Sequence, residues 1–219
     1  YALGHRAVKD LLLDPVLIEE KIDGSQFSFG RFDGVLRCRS KGQELVIEAP
    51  EKMFAGAVAY VNTVDLHDGW TYRAEWLAKP KHNILAYDRT PFNGLMVFDV
   101  NTDEEAYLPW DEKRDECLRL ALEVVPRLPF DDIPTFDTIK ALLETKSCLG
   151  GQLVEGVVVK NYNRFGIDNV SFSTASLYND NSGANRTREL IIAHAIEPND
   201  DGNAAKFGFS DRWKFRECY

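Results

Sequence analysis

Two Asp-Gly pairs, Asp23-Gly24 and Asp33-Gly34, constrain this chain more than any other feature. Such a pair suits the positive φ values of a tight turn, and one flanked by alternating apolar and polar residues is the strongest short-range hairpin signal. Asp33-Gly34 lies between Gln26-Phe27-Ser28-Phe29 and Val35-Leu36-Arg37-Cys38-Arg39, so these runs are predicted to pair antiparallel. Asp23-Gly24 ends an apolar, β-branched run from Val16 to Ile22 that reads as a strand. The consequence is positional. Lys21 stands at a rigid strand end, directly before a turn, where a lysine can act as a nucleophile and the turn can hold a nucleotide against it.

The remaining elements follow from periodicity. Pro50 to Val61 is predicted to be a helix, with Pro50 in its first turn and Met53, Phe54, Ala57, Val58 and Val61 at helical spacing. Trp70 to Leu77 alternates as a strand, with Tyr72, Ala74 and Trp76 on one side and Thr71, Arg73 and Glu75 on the other. Lys79 to Asn93 is a polar loop, and Leu95 to Val100 a buried strand. Trp110 to Val125 reads as an amphipathic helix with Cys117, Leu118, Leu120, Ala121 and Val124 facing inward. Thr135 to Lys146 reads as a second helix, capped by Thr135 and ended by Gly150-Gly151. Leu153 to Lys160 is a strand, Arg186 to Ile196 a helix, and Arg212 to Glu217 a last strand. No internal repeat is present. The mixture is α+β with mostly antiparallel strands.

At 219 residues, 44% hydrophobic and 11% aromatic, the chain can bury a sizeable core as one large domain or two small ones. No apolar run approaches the ~18 residues of a membrane span. The start carries no signal-peptide pattern, and Tyr1 is not read as the natural first residue. Cys38, Cys117, Cys148 and Cys218 are scattered without a CxxC pair, which argues against a zinc site or redox dithiol and suits a reducing cytoplasm. The net charge of −9 argues against non-specific coating of nucleic acid. Charge is nonetheless segregated: Arg31, Arg37, Arg39 and Lys41 cluster on one segment, while Asp103 to Glu116 is acidic.

Five features recur in order: Lys21-Ile22-Asp23-Gly24, Arg39-Ser40-Lys41-Gly42, Arg73-Ala74-Glu75, Val97-Phe98-Asp99-Val100 and Glu155-Gly156-Val157-Val158-Val159-Lys160. This order resembles the covalent nucleotidyltransferase superfamily of ATP-dependent DNA ligases, RNA ligases and capping enzymes, and phage-type RNA ligases most closely. Gly4-His5-Arg6 is similar to a segment those ligases carry before the nucleophile. The Lys79 to Pro91 run, with His82-Asn83, Leu85, Tyr87 and Arg89, is similar to another, as is Asn161 to Gly166. The resemblance covers residues 1 to 166.

The resemblance implies a single nucleotidyltransferase (adenylation) domain over residues 1–219, with mostly antiparallel sheets flanked by helices. Such enzymes usually append a C-terminal accessory domain, and this chain is expected to lack one. It implies that Lys21 attacks the α-phosphorus of ATP and expels pyrophosphate, that AMP passes to a 5′-phosphate end, and that a 3′-hydroxyl then displaces AMP. Such chemistry needs positioning and positive charge more than acid–base groups. By resemblance Glu75 binds the ribose, Phe98 stacks on adenine, and Glu155 is a metal-associated acid beside the nucleophile. Glu19 and Glu20 flank the adenine side, and alternation lets only one face the pocket. Asp23 and Gly24 form the nucleotide-holding turn, Arg39 or Lys41 contacts the ribose or the 5′-phosphate, and Lys160 reaches the phosphates. His82 has a substrate-contact or structural role rather than that of a base. Mg2+ (or Mn2+) is the implied metal, because pyrophosphate charge must be neutralised.

The family's last motif, Lys-x-Lys, follows its Glu-Gly strand closely. Here a long stretch rich in Asn, Asp, Ser and Gly intervenes, and Lys214 in Arg212-Trp213-Lys214-Phe215-Arg216 is the nearest equivalent, with Lys206 behind it. The implied partners are RNA (or DNA) ends, with no membrane and no protein partner, and the implied setting is a phage-infected bacterial cytoplasm. The alternatives are an ATP-dependent DNA ligase and a degenerate nucleotide- or RNA-binding module without ligation activity.

Overall fold

The computed structural model describes residue 12 and residues 15–103, 106–130, 135–161, 171–178 and 191–196. In chain order the strands and helices are β1 (Leu17–Lys21), β2 (Ser25–Phe32), β3 (Val35–Ser40), β4 (Glu44–Leu45), α1 (Ala55–Val61), β5 (Thr71–Trp76), β6 (Leu95–Asp103), β7 (Ala106–Tyr107), α2 (Trp110–Arg119), β8 (Glu123–Val124), α3 (Phe136–Ala141), β9 (Gly156–Lys160), β10 (Ser171–Tyr178) and β11 (Ile191–Ile196). The backbone divides into two compact units, Tyr1–Lys21 with Pro126–Cys148 and Gln152–Tyr219, and Ile22–Val125 with Leu149–Gly151. The division falls between Lys21 and Ile22.

The second unit is built on a seven-stranded sheet in the order β4-β3-β2-β5-β6-β7, with β8 parallel to β6. Its β2–β3 hairpin turns on Asp33 (φ 52°) and Gly34 (φ 76°), the two positive φ values that a primed turn requires. Phe27, Phe29, Tyr72 and Ala74 are fully buried on one face, against Ala57, Val58 and Val61 of α1 and against Cys117, Leu120 and Leu122. Phe29 stacks on Tyr72 at 5.2 Å between ring centroids, and Phe27 on Phe54 at 5.8 Å. Each such side chain removed from water contributes about 2–3 kcal/mol. A separate cluster of Ile22, Leu77, Leu85, Tyr87, Met96, Val125 and Leu149 holds the turn after β1 and the loop after β5.

The first unit contains a four-stranded sheet in the order β1-β9-β10-β11. β1 and β9 pair antiparallel, with Leu17 opposite Lys160, Glu19 opposite Val158 and Lys21 opposite Gly156. Ile18, Val157 and Val159 pack with Leu128, Ile139, Leu143 and Val154. α3 is capped as expected, the Thr138 N–H donating to Thr135 Oγ1 at 3.2 Å.

Five predicted elements differ from the structure. α1 begins at Ala55, not Pro50, because residues 51–54 form a turn closed by the Phe54 N–H on the Glu51 carbonyl. The helix expected to reach Val125 ends at Arg119. Ala121 adopts φ 50°, its N–H bonds the Leu118 carbonyl (3.1 Å), and the Leu122 N–H bonds the Cys117 carbonyl (2.8 Å). This is a Schellman termination with alanine where glycine is usual, and Glu123-Val124 then join the sheet as β8. Leu118, expected inside, is 68% exposed. The helix expected to reach Lys146 is α3 plus a 3-10 turn at Leu142–Glu144, well before Gly150-Gly151. Residues 191–196 form β11 rather than a helix, because their pairing with β10 overrides local propensity. The strand expected over Leu153 to Lys160 starts at Gly156. The strand expected at Arg212 to Glu217 lies outside the described residues.

Candidate active site

Lys21 closes β1, and Glu155 immediately precedes β9, so pairing of the two strands brings their side chains together. Lys21 Nζ donates to Glu155 Oε2 at 2.8 Å, with the two side chains 21% and 3% exposed. Glu19 lies on the same face as Lys21 and is paired with Lys160, Nζ to Oε2 at 2.7 Å, in a fully buried position. Lys160, for which the resemblance implies phosphate contact, has its ammonium against Glu19.

Alternation sends Glu20 to the opposite face, the side of Ile18 and Val157. Glu20 is buried, its Oε2 accepts the Cys148 N–H at 3.0 Å, and its Oε1 has no hydrogen-bond partner among the described residues. Burial pushes its pKa up, with the Cys148 N–H opposing.

The turn after Lys21 is clamped by the Lys79 to Pro91 run. Asp23 Oδ2 accepts the Ile84 and Leu85 N–H groups, each at 2.8 Å, and its Oδ1 accepts from Asn83 Nδ2 at 3.3 Å. Asn83 Nδ2 also donates to the Gly24 carbonyl at 2.6 Å, and the Asp23 N–H donates to the Tyr87 hydroxyl at 2.8 Å. His82 Nδ1 accepts the Ala78 N–H at 3.1 Å, which assigns the neutral tautomer with its proton on Nε2, 2.9 Å from Ser25 Oγ. Burial lowers the His82 pKa and favours this neutral ring, although Asp23 pulls the other way. Both ring nitrogens of His82 are thus engaged by Ser25 and Ala78. Arg89 is bidentate on Glu123 at 2.7 and 2.8 Å.

Gly24 is needed for space rather than for φ. A Cβ built on it would lie 2.7 Å from Glu75 Cβ and 3.0 Å from Glu75 Oε2. The turn and the ribose candidate are therefore in direct contact.

Sheet register collects the other candidates. Arg39 stands opposite Ser28, Ser28 opposite Arg73, and Gln26 opposite Glu75, so Arg39 and Glu75 share the face away from the aromatic core. Phe98 is half-buried on that side, packed against the Ile22–Met96 cluster. Lys41, past the end of β3, is exposed. Lys214, Lys206 and Gly4-His5-Arg6 lie outside the described residues.

Among the described residues no group of three or more His, Cys, Asp or Glu could hold a metal ion. One buried carboxylate beside the nucleophile does fit a hydrated Mg2+ or Mn2+, which binds through one or two carboxylates and substrate phosphates rather than an all-protein cage.

The sequence model of the RNA ligase family matches residues 14–175. The chain belongs to the RNA ligase family. Solved structures with the same fold include a Naegleria gruberi RNA ligase with PPi, at TM-score 0.51 and 19% identity, over 68% of this chain and 46% of that one. A variant of that ligase with ATP and Mn matches at TM-score 0.51 and 18% identity, over 74% and 51% of the two chains. Another with AMP and Mn matches at TM-score 0.51 and 18% identity, over 73% and 51%. The fold is thus the nucleotidyltransferase type, and this family member spans about half the length of the solved structures it matches. The comparison with curated proteins gives no match. No helix among the described residues is long and apolar enough to cross a membrane.

The roles of Asn83 and Tyr87 escaped sequence reasoning. A His-Asn pair and a lone Tyr in the loop were the available signals.

Proposed function

We propose that this chain is an ATP-dependent RNA ligase that joins 3′-hydroxyl and 5′-phosphate ends through a lysyl–AMP intermediate on Lys21. The observation that carries the reading is Lys21, held 2.8 Å from Glu155 where β1 ends, in a chain of the RNA ligase family. The amine sheds its proton and attacks the α-phosphorus. A nitrogen–phosphorus bond forms, the bond to the bridging oxygen breaks, and pyrophosphate leaves. An RNA 5′-phosphate oxygen then takes the adenylyl group from Lys21. A 3′-hydroxyl attacks the activated phosphorus, forming the phosphodiester and releasing AMP.

The remaining candidates bind and orient. Glu20 Oε1 is an acceptor suited to the exocyclic amine of adenine. Glu75 receives the ribose hydroxyls, Phe98 stacks on the base, and Arg39, with Lys41, offers positive charge to ribose or phosphate. Asp23 and Gly24 hold the turn that presents Lys21. Lys160 acts through Glu19 on the strand that carries Lys21. Glu155 would hold a divalent cation, which supplies charge neutralisation on the phosphates when bound. Lys214 is the phosphate contact from the last motif. The family match runs across both compact units, which supports assigning them to one nucleotidyltransferase domain.

A sealing assay tests this reading. With ATP and Mg2+, RNA-containing 3′-hydroxyl and 5′-phosphate strands are expected to be joined in preference to all-DNA strands. Preferential joining of all-DNA strands would move the assignment to DNA ligase. ATP binding with no joined product would leave only a nucleotide-binding module.

A further inference from the structure

β6 carries one residue more than its partner. Arg73 stands opposite Asp99 and Ala74 opposite Val97, so Phe98 is the extra residue of a β-bulge. Strict alternation would send Phe98 and Val100 to the same face. Instead Val97 and Val100 both join the aromatic core, while Phe98 packs with Met96 on the other side. Leu95 to Phe98 therefore alternate without a break, and the bulge at Phe98 shifts the phase of the residues that follow it, returning Val100 to the core.

Lys113 meets this bulge from α2. It is 0% exposed, and its Nζ donates to the Phe98 carbonyl at 2.7 Å. Burying an ammonium is unfavourable, and an apolar side chain would fill the same volume without that penalty. The charge therefore needs a reason beyond packing, and the carbonyl of the bulged residue supplies one. α2 is itself held at both ends, by Trp110 Nε1 on the Val125 carbonyl at 3.1 Å and by the Leu122 N–H on the Cys117 carbonyl at 2.8 Å.

We propose that Lys113 is a positioning residue for the nucleotide base: its ammonium holds the carbonyl of Phe98 and so fixes the bulged backbone from which Phe98 projects toward the ligand. This rests on the reading of Phe98 as the base-stacking aromatic. Arg73, buried opposite Asp99 with its guanidinium 5.7 Å from the Tyr107 ring centroid, braces the other residue of the bulge.

The test is a double-mutant cycle on the full chain, with ATP dissociation constants and self-adenylylation kinetics for wild type, Lys113→Met, Phe98→Ala and the double variant. Lys113→Met is expected to weaken ATP binding and raise KM roughly tenfold, within the range of one base–aromatic stack, while kcat stays within about twofold. The double variant is expected to bind no worse than Phe98→Ala alone, because Lys113 acts through Phe98. Unchanged ATP affinity in Lys113→Met, unchanged affinity in Phe98→Ala, or losses that multiply in the double variant would each overturn the inference. If Lys113→Met does not fold, Lys113→Arg carries the test. It keeps the charge but moves the donor, so an intermediate loss is expected and no loss would overturn the proposal. A wild type that binds no ATP would refute the ligase reading itself. A wild type that binds ATP, with variants that match it, would refute only the role of Lys113.

Discussion

In the unit that carries Lys21, two charge pairs join one pair of strands: Glu19 with Lys160 and Lys21 with Glu155. In the unit that begins at Ile22, the key carboxylate is satisfied by main chain: Asp23 takes the N–H groups of Ile84 and Leu85. The first arrangement holds ionic groups by partners that can be exchanged, which suits group transfer. The second trades no partners and fixes the shape of a loop. A charge pair depends on both members being present, whereas a carboxylate bound to main chain depends only on itself.

That contrast can be broken most severely at Lys160. Lys160→Met leaves the fully buried Glu19 without its cation and is expected to destabilise the fold by about 3–5 kcal/mol in denaturant unfolding. Adding Glu19→Gln should recover most of the loss. A single variant as stable as wild type would show that the pair does not hold β1 to β9.

Asp23→Ala should act next, by about 2–4 kcal/mol, because two main-chain N–H groups, that of Leu85 buried and that of Ile84 partly so, lose their acceptor. No partner substitution should rescue it, and hydrogen exchange should accelerate over residues 79–93. Unchanged exchange there would contradict the clamp.

Glu20 sharpens the comparison through pH. Its folded pKa is raised above 4.5 by burial, so its favourable contribution is full below that value and is lost as pH rises through the folded pKa. Glu20→Gln stays neutral throughout. Its melting temperature relative to wild type should therefore climb as pH rises above the ordinary carboxylate range, then level off. A difference independent of pH would contradict the burial argument.

The smallest effect concerns Ala121 at φ 50°. Ala121→Gly relieves a left-handed residue and should add about 0.5–1 kcal/mol, visible as a small rise in melting temperature. A destabilised variant would remove the explanation for where α2 ends.

The β2–β3 hairpin was legible because Asp33-Gly34 states its turn in residue types. The meeting of Lys21 with Glu155 came from the resemblance, which gives Glu155 as an acid beside the nucleophile, and not from the strand bounds, since the strand was expected to start at Leu153. The end of α2 was not legible, because alanine occupies the left-handed position and periodicity continues through it. The bulge at Phe98 was hidden in an apolar run with no alternation to violate. Lys113 was hidden in an acidic segment, where a lysine looks like a solvated face. Asp23 read as a nucleotide contact, and only the loop geometry shows that its oxygens are filled by residues 83–85.

The central claim is that Lys21 becomes adenylylated. The direct measurement is incubation with α-labelled ATP and Mg2+, beside Lys21→Ala, followed by a denaturing gel. The account predicts a labelled band in the wild type that is absent from Lys21→Ala. No band in a wild type that still binds ATP, or a band that persists in Lys21→Ala, would contradict it.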